Sequence, residues 1–199
     1  TTAEGGSLNW RQELLDEARI WSLHGMSHDA WKRYGDEGSW FYEVIRPGFK
    51  YNMTDIAAAI GIQQLKKSPK FQARRREIVS QYNKAFSEFE ELQLPIERTD
   101  VEHAWHLYVI RLNLKLLRIS RNQFIEELRA RNIGTSVHFI PIHLHPYYRD
   151  KYAYKPEDFP IAYREYQRII SLPLYPKMTD RDVEDVIEAL TDIIHKFSV

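Results

Sequence analysis

Beyond residue 102 the chain alternates short apolar runs with capped helices, and that alternation restricts this part of it to a small α/β sandwich. Residues 105–112, rich in Tyr, Val and Ile, read as a strand. Ser120-Arg121-Asn122-Gln123 is a capping box, in which the serine and glutamine side chains each satisfy a backbone N–H at the other's position. It opens a helix to about Arg131, and Gly134 sits just past the end. Residues 135–140 read as a second strand, 161–170 as a helix and 171–175 as a short third strand. Thr179 caps a last helix whose core side carries Val183, Val186, Ile187, Leu190 and Ile194. Three short strands and three helices are expected, with the helices on one face.

The preceding residues are organised differently. Residues 10–23 predict a helix with Leu14, Leu15, Ala18 and Trp21 on its apolar face. Residues 24–46 show no clean period and read as a loop, whose aromatics Trp31, Tyr34, Trp40, Phe41 and Tyr42 argue against plain disorder. Pro47 and Gly48 mark a turn. Thr54-Asp55 caps a helix to about Lys67, and Ser68-Pro69 restarts one, with proline at the first helical position. Phe71, Ile78, Tyr82, Ala85 and Phe89 then share a face. Arg74, Arg75 and Arg76 are adjacent, so they point in different directions and read as a solvated face rather than a phosphate patch. Residues 92–102, with Pro95 and a polar stretch, are the best candidate for a subdomain boundary.

Composition excludes several classes of function. The 28 basic and 28 acidic residues give a formal net charge of zero, which argues against a broad grip on nucleic acid or anionic lipid. Cysteine is absent, removing disulfides, thiolate nucleophiles and cysteine-based zinc sites, and fitting a reducing compartment. The longest near-apolar run, Ile56 to Ile62, is far too short to span a bilayer. The mean hydropathy of −0.53 excludes an integral membrane protein. The chain opens Thr1-Thr2-Ala3-Glu4-Gly5-Gly6, with no initiator Met, no basic n-region and no apolar h-region, which suggests a missing N-terminal part.

Histidine is the most suggestive chemistry-bearing residue. If 135–140 is a strand, Val137 and Phe139 share one face and His138 takes the other, toward a cleft or solvent. His143 and His145 flank Leu144 and, with His138, raise the question of a metal. No carboxylate interleaves them and Pro141 and Pro146 break the segment, so no metal is assigned. His103 and His106 have no evident Ser or Asp partner, and no nucleophile elbow, P-loop or G-x-G-x-x-G occurs. The residues by themselves lead to a small α/β domain, a long helix and an aromatic loop.

One stretch goes further. Gly48-Phe49-Lys50-Tyr51-Asn52-Met53-Thr54-Asp55-Ile56-Ala57-Ala58-Ala59, followed by Gln64-Leu65, resembles the pyridoxal-phosphate-dependent nucleotide-sugar aminotransferases of the DegT/StrS group. The resemblance continues through His24-Gly25-Met26, His103-Ala104-Trp105-His106-Leu107-Tyr108, Arg131-Asn132-Ile133-Gly134-Thr135 and Ser171-Leu172-Pro173-Leu174-Tyr175, in order over nearly the whole chain. Within the group it looks most like the enzymes making UDP-4-amino-4-deoxy-L-arabinose, which share the Lys-Tyr-Asn variant and the His138-Phe139 pair.

The resemblance implies the C-terminal part of a fold-type-I aminotransferase, an α/β protein. Residues 1–67 would be the end of the large cofactor-binding domain with a lid loop, 68–91 a connecting helix, and 92–199 a small α/β domain with a mostly antiparallel sheet. The lysine that forms the Schiff base with the cofactor would lie upstream of Thr1, so no residue of this chain is assigned as catalytic. In family dimers the segment matching Lys50 to Asn52 reaches the partner subunit's cofactor phosphate. A cation and an amide donor just before a helix start suit an anion. Most relatives carry Asn in place of Lys50 and Arg in place of Asn52, so either residue could make the contact. His138 would face the sugar nucleotide, and the loop carrying Trp40 and Tyr42 would close over it.

The implied activity is transfer of an amino group from glutamate to a 4-keto nucleotide sugar, in cell-surface polysaccharide or lipopolysaccharide biosynthesis. It would take place in a cytoplasmic homodimer with shared active sites. Two alternatives stay open. One is a dehydratase of the same fold, in which the upstream lysine is replaced. The other is a non-catalytic binding or dimerisation module.

Overall fold

In a computed structural model of the chain, residues 5–27 and 42–199 are described, and they divide into two compact units, one up to Ser68 and the other Pro69–Val199. In the first unit α1 (Gln12–Ser22) is followed by a return of the chain across its end. The last carbonyls of a helix have no partner inside it. Here residues 48–51 supply partners: Phe49 N donates to Trp21 O at 2.7 Å and Tyr51 N to Ser22 O at 2.8 Å, while His24 N donates to Phe49 O at 2.8 Å. Two glycines make this approach possible. A Cβ on Gly25, which has φ +70°, would lie 1.8 Å from Arg46 O, and one on Gly48 would lie 2.1 Å from Gly25 N. Isolated bridges Leu23 to Lys50 and Met26 to Val44 complete the contact. The described ends of the expected loop, 24–27 and 42–46, therefore carry ordered backbone pairing.

Helix α2 (Asp55–Phe86) begins in the first unit and ends in the second. It is one continuous helix of 32 residues, with Pro69 in its interior rather than at a restart. Proline removes a single N–H from the ladder, and good helix formers on both sides carry the helix through that gap. In the second unit, α2 buries Ile78, Val79, Tyr82 and Phe86.

The sheet contains β1 (Leu92–Gln93), β2 (Tyr108–Leu112) and β3 (Ile169–Leu172), all antiparallel in the order β1-β2-β3. β2 is central and buries Tyr108, Ile110 and Leu112, while its register sets Val109 opposite Ser171 and Ile110 opposite Ile170. Helix α3 (Arg121–Ala130) is opened by the Ser120/Gln123 capping box and α6 (Asp180–Phe197) by a second one, Thr179/Asp182. Between them lie α4 (Pro146–Tyr152) and α5 (Pro160–Tyr166). One apolar cluster joins α2, the strands, α3 and α6, with Phe124, Leu128, Val183, Leu190 and Ile193 fully enclosed.

Three expectations need correction. Residues 135–140 do not form a strand, since only Ser136 pairs, by a bridge to Ser171. A strand exists through its partner, and the chain leaves β3 after one residue, toward Pro141. Strand β3 begins at Ile169, inside the expected helix, because Ile169 and Ile170 complete the ladder with Arg111 and Ile110. It stops at Leu172, where Pro173 has no N–H to donate. The arginine run is a solvated face only at Arg76, which is exposed, while Arg74 and Arg75 are half-buried. Arg74 donates to Met178 O at 2.8 Å and to Asp180, and Arg76 pairs with Glu102. Arg75 Nη1 lies 3.1–3.3 Å from the carbonyls of Trp105, His106 and Leu174.

Candidate functional site

The return of residues 48–51 across the end of α1 has a consequence for charge. It delivers Lys50 and Asn52 to the start of α2, where Thr54 Oγ1 accepts from Ala57 N at 3.3 Å. That cap leaves the N–H groups of Asp55 and Ile56 without an acceptor among the described residues. The Lys50 ammonium donates to Asn52 Oδ1 and has no carboxylate within ion-pair distance among the described residues. Asn52 lines a cleft of about 610 Å³ with Gly6, Leu15, Arg19, Tyr51 and Met53. Arg19 is engaged by Asp16 at 2.7 Å. An ammonium without a carboxylate partner, an amide and two first-turn N–H groups are donor types that suit an anion. Asp55 places one carboxylate in the same turn.

His138 lies in the second unit. Without a strand at 135–140, the expected alternation fails: Phe139 is 75% exposed and Val137 half-buried. His138 is half-buried, its ring meets that of Phe139 edge-on at 4.6 Å, and its Nδ1 lies 2.8 Å from Ser171 Oγ. Ser171 is 4% exposed and was not singled out from the sequence. The available signal was a lone hydroxyl inside the apolar run Ile169-Ile170-Ser171-Leu172.

Of the two aromatic residues expected over the substrate, Trp40 lies outside the described residues, and Tyr42 is described and 45% exposed. Two of the other described histidines make local contacts. His103 Nδ1 accepts from Trp105 N at 2.8 Å and its ring lies 4.1 Å from that indole, and His143 is buried against Phe159. No group of three potential metal ligands occurs among the described residues. No helix among them is long and apolar enough to cross a membrane.

Comparison with known proteins gives a consistent result. The model of the DegT/DnrJ/EryC1/StrS aminotransferase family matches residues 1–191. The uncharacterized protein MJ1066 of Methanocaldococcus jannaschii is 54% identical over 195 residues, covering 98% of this chain and 50% of that protein. The spore coat polysaccharide biosynthesis protein SpsC of Bacillus subtilis is 51% identical over 195 residues, covering 97% of this chain and 50% of that one. Among solved structures, the candidate sugar aminotransferase Spr1654 of Streptococcus pneumoniae, in its PMP form, superposes with a TM-score of 0.83 at 34% identity. It is covered to 50% by 98% of this chain, and its PLP form superposes with a TM-score of 0.82. The chain therefore spans about half the length of the curated relatives it matches.

Proposed function

The chain belongs to the DegT/DnrJ/EryC1/StrS aminotransferase family, and from that premise we propose that it is part of a pyridoxal-phosphate-dependent sugar aminotransferase. The reaction is transfer of an amino group from glutamate to a 4-keto sugar carried on a nucleotide, with a UDP-linked 4-keto pentose as the first substrate to try. The context is synthesis of cell-surface polysaccharide or lipopolysaccharide in the cytoplasm. Residues 1–67, 68–91 and 92–199 act as the end of a large domain, a connecting helix and a small domain.

The observation that carries this reading is the placement of Lys50 and Asn52 ahead of the uncapped N–H groups of α2. These residues fit the phosphate of the cofactor. A dianion there gains a charge-assisted bond from Lys50, an amide bond from Asn52 and the partial positive charge of a long helix. When bound, pyridoxal phosphate supplies an electron sink for chemistry at the amino-bearing carbon. The residues of this chain bind and orient. We assign Lys50 and Asn52 to the cofactor phosphate of a partner subunit in a homodimer, His138 to the sugar nucleotide, and Trp40 and Tyr42 to excluding water above it. None of the chain's lysines is assigned to proton transfer or to the covalent link with the cofactor.

The test is made on the full-length protein with pyridoxal phosphate, glutamate and a UDP-linked 4-keto sugar. An absorption band bleached by borohydride, together with an amino sugar product detected by mass, is expected. Loss of water from the sugar without amino transfer would replace this reading by a dehydratase. No cofactor band at all would leave a binding or dimerisation module.

A further inference from the structure

We infer that Ser171 is a positioning residue: its hydroxyl donates to Nδ1 of His138 and fixes the imidazole with its proton on Nε2. The argument is one of hydrogen inventory. Ser171 sits in β3 opposite Val109, is 4% exposed, and its Oγ lies 2.8 Å from His138 Nδ1. A buried hydroxyl has one hydrogen to place, and leaving it without an acceptor carries a desolvation penalty. Among the described residues Ser171 Oγ makes no hydrogen bond other than the one with His138 Nδ1. If Nδ1 carried the proton, it would donate to Oγ and strand the hydroxyl hydrogen inside the protein. With the hydroxyl as donor both atoms are satisfied, and the neutral ring must carry its hydrogen on Nε2.

The backbone supports the same geometry. Ser171 N donates to Ser136 O at 2.8 Å and Ser136 N to Ser171 O at 3.2 Å. Two main-chain bonds thus clamp the segment two residues before His138 directly onto Ser171. The ring is held at Nδ1 on one side and by Phe139 edge-on at 4.6 Å on another. His138 is half-buried, and Nε2 is not among the enclosed polar atoms left without a partner. The tautomer therefore makes Nε2–H a donor suited to an oxygen acceptor, such as a sugar hydroxyl or a phosphate oxygen. This use of the donor rests on the assignment of His138 to the sugar nucleotide.

The experiment uses the full-length protein labelled with nitrogen-15 at histidine, at a pH where imidazole is neutral. The His138 signals are identified by their loss in His138→Asn. Nδ1 is expected to be the bare, hydrogen-bonded nitrogen, and Ser171→Ala is expected to move its resonance toward an unbonded value, with Ser171→Thr restoring it. In the same variants Ser171→Ala should raise KM for the nucleotide sugar roughly threefold to tenfold, the equivalent of one ordinary hydrogen bond, with kcat within about twofold. A proton found on Nδ1, or an Nδ1 resonance that Ser171→Ala does not move, overturns the inference. A moved resonance with unchanged KM overturns the positioning role. Separately, an unchanged kcat/KM in His138→Asn removes the substrate assignment, whatever the nitrogen spectra show.

Discussion

Arg75 ties together three stretches of chain that are far apart in sequence, since one of its nitrogens lies 3.1–3.3 Å from the carbonyls of Trp105, His106 and Leu174. Hydrogen bonds from a charged donor contribute about 1.5–3 kcal/mol, and carbonyls left without a donor add to the loss. Arg75→Ala should lower stability by about 2–3 kcal/mol in denaturant unfolding. Arg75→Lys should recover only part of it, because the lysine side chain is one atom shorter and its ammonium does not reach the position of Nη1. A loss below about 0.5 kcal/mol would mark Arg75 as an ordinary surface residue. His138 behaves differently. His138→Asn leaves the enclosed apolar cluster intact, so kcat/KM should fall while Tm moves by no more than about 2–4 °C. A large loss of stability with normal kinetics would make it a packing residue. Single residues were the least legible scale in the sequence. Arg74 and Arg75 look solvated until the carbonyls they meet, about thirty and a hundred positions away, are brought beside them. Ser171 and His138 meet across 33 residues, and no local pattern encodes that meeting.

Two helix starts were written locally and could be read. The Ser120/Gln123 box opens α3 and Thr179 opens α6, because a cap is decided within four residues. Strands were less legible. The run 135–140 has strand-like residues but only one bridge, whereas Leu92–Gln93 has little local signal and is a strand because Leu112 and Arg111 accept it. Proline at 69 was ambiguous for a related reason: it is compatible with a helix start and, at the loss of one N–H, with a helix interior. The caps and ion pairs also set the response to acid. The backbone N–H and then the hydroxyl of Thr179 hold the Asp182 carboxyl below its ordinary value of 3.8. Burial pushes Glu165 up, but Arg168, Arg164 and Arg111 together outweigh it and leave that carboxyl below 4.5. Arg131 lowers Glu127 similarly. A carboxyl depressed in the folded state adds stability that is complete above its unfolded value and is lost as pH falls through the folded one. Denaturant stability should therefore decline as pH falls below about 4.5. Asp182→Asn should flatten the lowest part of that decline. A curve unchanged down to pH 3, or an equally steep one in the variant, would contradict the account.

At the scale of the molecule, the first unit leaves apolar surface uncovered. Helix α1 buries no residue, and Leu14, Ile56, Ile60 and Leu65 are exposed, Ile56 by 78% and Leu65 by 74%. Apolar area of this extent is normally covered by another surface. The 199-residue chain expressed by itself should accordingly bind a hydrophobic dye or self-associate, and a monomer that binds no dye would contradict this. Fold class and family were legible at this scale because short motifs spread along the whole chain agree with one another. The candidate anion site was only partly legible. The sequence placed Lys50 and Asn52 before a helix start, but not the return of their backbone across the end of α1, because it depends on Gly25 and Gly48 touching backbone to backbone. The central claim is that this segment grips the phosphate of pyridoxal phosphate. The most direct measurement is the cofactor dissociation constant of the full-length protein and of its Lys50→Ala and Asn52→Ala variants, titrated at equilibrium. Loss of a charge-assisted bond to phosphate should weaken binding by about one to two decades in at least one variant. Unchanged affinity in both would reduce residues 48–55 to a turn and helix cap that carries a positive charge.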